Sequence, residues 1–438
     1  MRKDYCMCAD FVVILYDNRV MWLITNCGSV VNDMNSEYQI FTLGNGLRCV
    51  FRRSSGVGYC GVVVKAGSRD DGEFYGLAHF VEHTIFKGTA KRKARHISSR
   101  MESVGGELNA YTTKDGTVVY TAYPAGYSPR AMELLSDITS SSVFPEEELE
   151  KECEVVIDEI NCYLDSPSES VFDEFEERLY AGNAPAHNVL GTPESVRALR
   201  REDCLTFLDR YYCAENLVVY CTDDCTPEQA YRNLDKYFGC LKRGAVNMRD
   251  KLSVVSPRFD ETVEKCGHQA HTVIGARISH RDDENRYALF LLNNHLGGVS
   301  MNSLLNRELR EKRGYVYTVD SSVCLFDGCG SIQVYFGCDS EHVSPCCRIV
   351  KKLLCRLAES PMKSAVFEKA RRQYLGQLIV SGDNRESQAM SMGRSLQYYG
   401  EVHDIAYAAE RIREVSAEQV RAVAEKILDS GLSRLTLM

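Results

Sequence analysis

Two histidines and a glutamate at one-turn spacing are the strongest candidates for chemistry in this sequence. They are His79, Glu82 and His83, and they lie in a stretch that is typical of a helix ended by Gly88. Positions i, i+3 and i+4 of a helix share one face, so the three side chains project together. Two imidazoles one turn apart can hold a single zinc ion, and a carboxylate between them can act on a water there. The pattern is the inverted H-x-x-E-H arrangement, although a match this short also arises by chance.

A third ligand is needed, because a catalytic zinc takes three protein ligands and leaves one position open. The candidates lie on a second helix, predicted over 146–163 and opening at Pro145. Glu152 and Glu159 are seven positions apart on this helix and share a face. Most other carboxylates of this segment are typical of a solvated acidic face. Spacing alone does not choose between Glu152 and Glu159.

The chain repeats one plan twice. The triplet Arg-Asp-Asp at 69–71 recurs 212 positions later, at 281–283, and follows a β-rich run in both places. A second match joins 196–203 to 412–419, and each copy is followed by a helical stretch and a strand. Because long helical patterns accompany β-branched runs in both halves, we predict an α+β fold. It consists of two homologous units, each an antiparallel-rich sheet with packed helices.

The repeat also predicts the boundaries of these units. Residues 1–37 are an N-terminal extension of uncertain order, whose apolar run at 11–16 makes a poor signal peptide, and Met34 is an alternative start. Residues 38–240 form the metal-binding catalytic unit, and residues 256–438 form the homologous unit. The segment between them contains glycine and proline, as expected of a linker.

The second unit lacks most of the metal-binding and acidic residues that mark the first. At the same offset of 212, the positions of His79, Glu82 and His83 are held by Leu291, Asn294 and His295. One ligand and the carboxylate are thus replaced, and His295 is most simply structural. We therefore expect one unit to bind metal and the other not to.

Composition excludes several classes of function. The net charge is −9 over 438 residues, and no basic stripe marks a nucleic-acid binder. No run of about 18 apolar residues is present, so we predict no membrane association. The 19 cysteines are odd in number and widely scattered, which indicates reduced thiols and a cytoplasmic location.

The segment 79–89 (His-Phe-Val-Glu-His-x-x-Phe-Lys-Gly-Thr), with Glu159 lying 76 positions after His83, resembles the pitrilysin family of zinc metallopeptidases. That family includes insulysin and the mitochondrial processing peptidases. The resemblance extends from about residue 38 to the C-terminus, and it is strongest to the bacterial branch that is similar to the catalytic processing-peptidase subunit. It implies a zinc-dependent endopeptidase that hydrolyses extended or unfolded peptides.

The resemblance also implies roles for the candidate residues. Zn²⁺ is held by His79, His83 and Glu159, with Glu82 as the general base. Glu152 supports the site as a further carboxylate. Family members usually have arginine where this chain has Cys153, which leaves the packing around Glu152 open.

The second unit is implied to contribute substrate-binding residues. Arg310 and Tyr317 match an arginine and a tyrosine that family members place opposite the metal. A guanidinium and a phenol can hydrogen-bond a carbonyl oxygen that gains charge, although this segment alone is typical of an exposed helix leading into a strand. A substrate-pairing edge strand is implied for four residues of the first unit: Asn109, Ala110, Tyr111 and Thr112. An ordinary edge strand is the alternative.

Family members form a clamshell around a chamber, and the short bacterial chains usually pair as homodimers. The expected partners are therefore a peptide substrate and either a second copy or a paralogous subunit. A different possibility is a catalytically inactive family member that serves as a structural or substrate-binding subunit. The intact set of ligands and base favours an active enzyme over that alternative. A third possibility is an unrelated zinc hydrolase that acts on something other than peptides.

Overall fold

A computed structural model of the chain describes residues 37–438, apart from 250, 251, 253–255, 266 and 282. Of the first 36 residues it describes four short backbone strands only. The alternative start at Met34 and the middle residue of the second Arg-Asp-Asp triplet, Asp282, therefore lie outside the described residues.

The structure combines strands and helices along the whole described chain. The strands are β1 (Cys6–Cys8), β2 (Phe11–Tyr16), β3 (Arg19–Leu23), β4 (Val30–Val31), β5 (Gln39–Thr42), β6 (Arg48–Arg53), β7 (Val57–Val64), β8 (Glu107–Thr112), β9 (Thr117–Pro124), β10 (Leu217–Asp223), β11 (Asp260–Val263), β12 (Ala270–Ile278), β13 (Val316–Phe326), β14 (Cys329–Cys338) and β15 (Ser433–Leu437). The helices are α1 (Leu77–Thr84), α2 (Ala94–Glu102), α3 (Ser128–Ser141), α4 (Glu146–Leu164), α5 (Pro167–Leu179), α6 (Pro193–Ala198), α7 (Arg201–Tyr211), α8 (Pro227–Phe238), α9 (Arg286–Gly297), α10 (Val343–Glu359), α11 (Ser364–Ser381), α12 (Arg385–Tyr399), α13 (Ile405–Glu414) and α14 (Ala417–Ser430). Among the helices of the described residues, none has the length and apolar character that crossing a membrane would need.

The first large sheet has the strand order β4-β5-β6-β10-β7-β9-β8. All its neighbours pair antiparallel except β6 and β10, which run parallel. Strand β8 therefore lies at one edge of this sheet. A separate small sheet joins β1, β2 and β3.

The second large sheet has the strand order β11-β15-β12-β14-β13, with β13 at one edge. Its final strand β15 runs parallel to β11 and antiparallel to β12, just as β10 does with β6 and β7. The two halves of the chain thus build sheets on one plan. The prediction of an α+β fold with two related, antiparallel-rich units is confirmed.

The compact units are not continuous in sequence. Unit 1 comprises Met1–Ile157, Val189–Asn247 and Asp383–Asp404, and unit 2 comprises Asp158–Asn188, Met248–Gly382 and Ile405–Met438. Each unit therefore includes a helical segment from the other half of the sequence: α12 in unit 1, and α5 in unit 2. The repeat-based boundaries at 38–240 and 256–438 describe the sequence duplication, whereas packing groups the chain differently.

In unit 1, helix α12 covers the middle of the sheet. Its apolar residues Met392 and Leu396 pack with Tyr220 of β10 in one buried cluster. The Tyr220 ring needs space on both sides, and glycines provide it: a Cβ at Gly61 would lie 2.5 Å from that ring, and a Cβ at Gly393 would lie 2.4 Å from it. Close packing of this kind leaves no room for an added methyl group.

In unit 2, helix α5 covers the sheet in a comparable way. Val171 and Phe175 pack with Val273 of β12 and Leu435 of β15. A buried hydrogen bond of 2.7 Å from Gln333 Nε2 to Glu176 Oε1 joins the same helix to β14. The polar pair fixes the position of a helix that apolar contacts alone would hold less specifically.

These contacts predict opposite effects for two glycine-to-alanine changes in helices. Gly393→Ala should lower the free energy of unfolding by about 1–3 kcal/mol, because the methyl group overlaps the Tyr220 ring. Gly376→Ala in α11 is the matched control, since no atom lies within 4 Å of its Cβ, and it should stabilise by about 0.5–1 kcal/mol. Thermal melting followed by circular dichroism measures both, and shifts of the same sign would contradict the proposed packing.

Candidate metal centre

Helix α1 carries the predicted metal-binding face, and a buried carboxylate fixes where it begins. Asp71 accepts hydrogen bonds of 2.8 Å from the backbone N–H groups of Gly76, through Oδ2, and of Ala78, through Oδ1. The helix ends at Thr84, four residues before the predicted stop at Gly88. The carbonyl oxygen of Ile85 instead accepts a 2.8 Å bond from the Ser142 hydroxyl, so the chain leaves the helical path there.

The structure brings three of the predicted residues together. One nitrogen of His79, one nitrogen of His83 and a carboxylate oxygen of Glu159 all lie within 4.8 Å of one another. His79 is buried, His83 is partly buried and Glu159, on α4, is exposed. In the part of the chain that the structure describes, no other three histidines, cysteines or acidic residues converge in this way.

The charge state of His79 suits a ligand. Burial, with a smaller contribution from the neighbouring His83, lowers the pKa of His79 to about 3. The imidazole is therefore neutral near pH 7, which is the form that binds metals. The two imidazole rings lie 4.5 Å apart between centroids and are inclined by 64°.

Glu152 has a different position from Glu159. Its Oε1 lies 3.1 Å from Nδ1 of His83, and its Oε2 lies 2.6 Å from Nζ of Lys87. Burial opposes ionisation, but the hydrogen bonds from His83 and Lys87 outweigh it and lower the pKa of Glu152. An ionised Glu152 accepts the Nδ1–H of His83 and so leaves Nε2 for a metal. The structure thus separates the two carboxylates that spacing could not.

Sequence reasoning did not single out Lys87. Its signal was available, because Lys87 follows His83 by four positions, and side chains at that spacing can lie on one side of a helix or of the turn that continues it. Its ammonium group adds a positive charge to a carboxylate that already holds a histidine. Next to Glu152, the thiol of Cys153 has a pKa raised by burial and by Glu154, while Arg197 and Arg200 act in the opposite direction.

Glu82 lies on the same helix, and only 9% of it is exposed. Its Oε2 is 3.2 Å from the hydroxyl of Thr112, which lies at the end of β8. Tyr212 is packed nearby, and burial together with the charge of Glu82 raises the pKa of this phenol. Tyr212 therefore stays neutral, and the hydroxyl group that hydrogen-bonds Glu82 belongs to Thr112.

The four predicted substrate-binding residues all lie in β8, at the free edge of the first sheet. The side-chain oxygen of Asn109 accepts a 2.8 Å bond from the backbone N–H of Ala110. The Tyr111 hydroxyl donates to Sδ of Met390 over 3.1 Å. An edge strand whose residues remain partly accessible is the geometry that peptide-strand addition needs.

The predicted residues of the second half lie in unit 2. Arg310 belongs to a π-helical segment, Asn306–Glu311, and is exposed. Tyr317 is 54% exposed, and its hydroxyl donates to Asp339 over 3.1 Å. The register of β13 against β14 shifts between Val316 and Thr318, so Tyr317 is an extra residue of the kind that re-aims a side chain. The role of Arg310 and Tyr317 at the metal centre stays a prediction.

The counterparts of the two histidines in the second half are Leu291 and His295. Leu291 is fully buried in the apolar core of that unit. His295 is largely enclosed, and burial, followed by the charge of Arg307, lowers its pKa. Neither position belongs to a metal-binding group among the described residues.

Comparison with known proteins matches both halves of the chain to one family. Residues 52–193 match the family described as Insulinase (Peptidase family M16), and residues 198–374 match the Peptidase M16 inactive domain. A Mycobacterium tuberculosis protein named an uncharacterized zinc protease is 33% identical over 395 residues, which cover 88% of this chain and 90% of that relative.

Two crystal structures share the fold. The peptidase M16 inactive domain from Pseudomonas fluorescens has a TM-score of 0.84 at 19% identity, covering 92% of this chain and 98% of its own. A protease from Helicobacter pylori has a TM-score of 0.83 at 20% identity, covering 91% and 99%. With the sequence matches on both halves, these likenesses establish that the chain belongs to the M16, or insulinase, family of peptidases.

Proposed function

We propose that the protein is a zinc-dependent endopeptidase that hydrolyses peptide bonds in extended or unfolded peptides. The observation that carries this proposal is the convergence of His79, His83 and Glu159 beside Glu82. Two imidazole nitrogens and one carboxylate are a ligand set that zinc takes in hydrolytic sites, with one position left for water or substrate. When bound, zinc polarises the scissile carbonyl and makes a water molecule more acidic.

Glu82 has the proton-transfer role in this proposal. Its carboxylate takes a proton from the attacking water and passes it to the leaving nitrogen of the cleaved bond. Only 9% of Glu82 is exposed, so most of this side chain is out of contact with bulk water. Glu152 and Lys87 hold the ring of His83 in the tautomer that presents Nε2.

Strand β8 provides the proposed site for the substrate backbone. A peptide strand that adds to this edge gains main-chain hydrogen bonds with little demand on its sequence. Such pairing requires an extended backbone, so a stable folded domain should resist cleavage. Arg310 and Tyr317 are proposed to hydrogen-bond the carbonyl oxygen as it gains charge. That role requires both side chains to reach a peptide held on unit 1.

The cellular location and the assembly of the enzyme are also part of the proposal. We propose a cytoplasmic location and assembly as a homodimer or with a paralogous subunit. The chief alternative is a catalytically inactive partner subunit, and it predicts that some of the metal ligands or the base have been replaced. The second half of the sequence illustrates that outcome with Leu291 and Asn294, whereas the first half retains the three candidate ligands and the candidate base.

The central prediction separates a ligand from the base. The purified protein should hold one equivalent of zinc and cleave a quenched fluorescent peptide, and a chelator should stop the cleavage. Glu82→Gln should abolish cleavage while zinc remains, because only the basic carboxylate is lost. Glu159→Gln should lower both zinc content and cleavage, because a metal ligand is lost.

The matched control is Glu154→Gln, the same change at an exposed position of α4. It should leave zinc content and turnover unchanged. Near-normal turnover by Glu82→Gln would contradict the mechanism, and loss of zinc in that variant would make Glu82 a ligand instead. Full zinc retention by Glu159→Gln would remove the ligand assignment.

A second prediction concerns Lys87. Lys87→Met keeps most of the side-chain volume but removes the charge that pairs with Glu152, so zinc affinity should fall by about 10-fold or more. Competition with a fluorescent zinc chelator measures the dissociation constant. Lys91→Met, the same change at a nearby exposed lysine, should leave it unaltered. An unchanged affinity in Lys87→Met would show that the ion pair does not support the ligand.

A third prediction concerns Tyr317. Tyr317→Phe should lower kcat by about 10-fold or more and leave zinc content unchanged, since its hydroxyl would act as charge develops on the carbonyl oxygen. Steady-state kinetics with the fluorescent peptide, beside metal analysis, measures both. Tyr315→Phe, two residues earlier, is the control and should have turnover within about two-fold of the unsubstituted enzyme, because no transition-state contact is lost. Unchanged turnover in Tyr317→Phe would exclude the phenol from the reaction.

A further inference from the structure

Thr112 lies where the substrate-pairing edge meets the general base. The backbone N–H of Thr113 donates to the Gly116 carbonyl over 2.8 Å, which sets the phase of the β8–β9 ladder. In an antiparallel pair, bonded and non-bonded positions alternate. Thr113 and Gly116 are therefore a bonded pair, and the next pair along the ladder, Thr112 with Thr117, is a non-bonded one. The backbone N–H and C=O of Thr112 thus point away from β9, toward the free edge of the sheet.

The next outward-facing residue of β8 confirms this phase. Ala110 pairs opposite Val119 and should also direct its N–H toward the free edge. That N–H donates to the side-chain oxygen of Asn109 over 2.8 Å rather than to β9. Ala110 and Thr112 are therefore the positions at which an added peptide strand can form main-chain hydrogen bonds on this edge.

The side chain of Thr112 points to Glu82. Its hydroxyl lies 3.2 Å from Oε2 of that carboxylate. An ionised carboxylate only accepts, so the Thr112 hydroxyl is the donor. The neighbouring Thr117 hydroxyl donates its own proton to the Ala66 carbonyl over 3.0 Å, and at 3.4 Å it lies farther from the Thr112 hydroxyl than Oε2 does. One oxygen of the general base is thus hydrogen-bonded to the edge strand.

The end of β8 is held firmly, which gives the contact a defined geometry. The carbonyl of Thr113 accepts from the Ser68 N–H, and that of Lys114 from the Arg69 N–H, both over 3.2 Å. Arg69 and Asp115 form a 2.7 Å ion pair in which both side chains are only 4% exposed. The turn that follows Thr112 is therefore fixed to the segment that leads into α1.

We infer that Thr112 is a positioning residue for Glu82, and that it links the pairing of a peptide strand to the orientation of the general base. The inference rests on the proposed function, because it assigns Glu82 as the base. A peptide that pairs with the backbone of Thr112 restrains this residue from the solvent side, while its hydroxyl restrains Oε2 of Glu82. The base is then best oriented when a peptide is in register on β8.

A purely structural role for Thr112 predicts something different. Thr112 and Thr117 face each other across a close, non-bonded pair, where β-branched side chains stabilise a sheet by packing. Valine would satisfy that role, since it has the same shape and only lacks the hydroxyl. Thr112→Val therefore distinguishes a hydrogen-bond donor from a packing residue, and Thr112→Ser restores the donor without the methyl group.

The test compares these variants with Thr121→Val. Thr121 is a buried threonine of β9 whose hydroxyl donates to the Glu107 carbonyl, away from Glu82. Thr112→Val should lower kcat by about 10- to 100-fold with KM changed less than about two-fold, as expected for loss of a group that orients a reacting side chain. Zinc content should stay at one equivalent, Thr112→Ser should recover most of kcat, and Thr121→Val should resemble the unsubstituted enzyme.

Each result has a defined consequence. Unchanged kcat in Thr112→Val overturns the inference, as does an equal loss in Thr121→Val or a failure of Thr112→Ser to recover activity. A rise in KM alone would make Thr112 a peptide-pairing residue and not a positioning one. If the unsubstituted, zinc-loaded protein shows no chelator-sensitive cleavage, the proposed function itself falls, and the inference falls with it.

Discussion

The eight residues of α1 carry two candidate ligands and the candidate base, and a helix this short is not stable on its own. Its geometry depends on the cap that Asp71 provides. By accepting from the N–H groups of Gly76 and Ala78, this buried carboxylate fixes the first turn and hence the rotation of every later side chain. Packing against α7 and β8 completes the restraint. The spacing of His79, Glu82 and His83 becomes a site only because the helix is held in this one orientation.

Three glutamates lie in or next to the candidate metal group, and each has different hydrogen-bond and charge partners. Glu159 is exposed, and one of its carboxylate oxygens converges with nitrogens of His79 and His83. Glu152 is ionised by contact with His83 and Lys87, so it orients a ligand. Glu82, the proposed base, accepts from the neutral hydroxyl of Thr112. Identical side chains on two helices thus differ in role because their neighbours differ in charge.

How much the sequence could reveal depended on the range of the interactions. His79, Glu82 and His83 were predictable because helical geometry is local. The α+β class and the duplication followed from patterns that repeat along the chain. The choice between Glu152 and Glu159 depends on where α4 crosses α1, which no local pattern contains.

Other features were also beyond local patterns. The contact of Thr112 with Glu82 joins residues 30 positions apart. The packing of α5 and α12 away from their own halves is set by the apolar surfaces of whole sheets. Even the end of α1 at Thr84 depended on a hydroxyl from Ser142.

The second unit shows what is architectural and what is chemical in the first. There α9 also makes a side-chain contact with its edge strand: the Ser321 hydroxyl of β13 donates to the amide oxygen of Asn293, whose nitrogen donates to the Ser321 carbonyl over 2.9 Å. This contact does not use Asn294, the counterpart of Glu82, but its neighbour Asn293. In unit 2 the link is neutral and satisfied on both sides.

In unit 1 the link between α1 and its edge strand ends on a carboxylate, because Oε2 of Glu82 accepts from the Thr112 hydroxyl. A polar contact of this kind would, by itself, indicate only a way of attaching a helix to the edge strand of a sheet. At the position of Glu82 the second half has Asn294, and the positions of His79 and His83 are held by Leu291 and His295. The two halves thus share the plan of their sheets and differ in the side chains at two of the three candidate positions of α1.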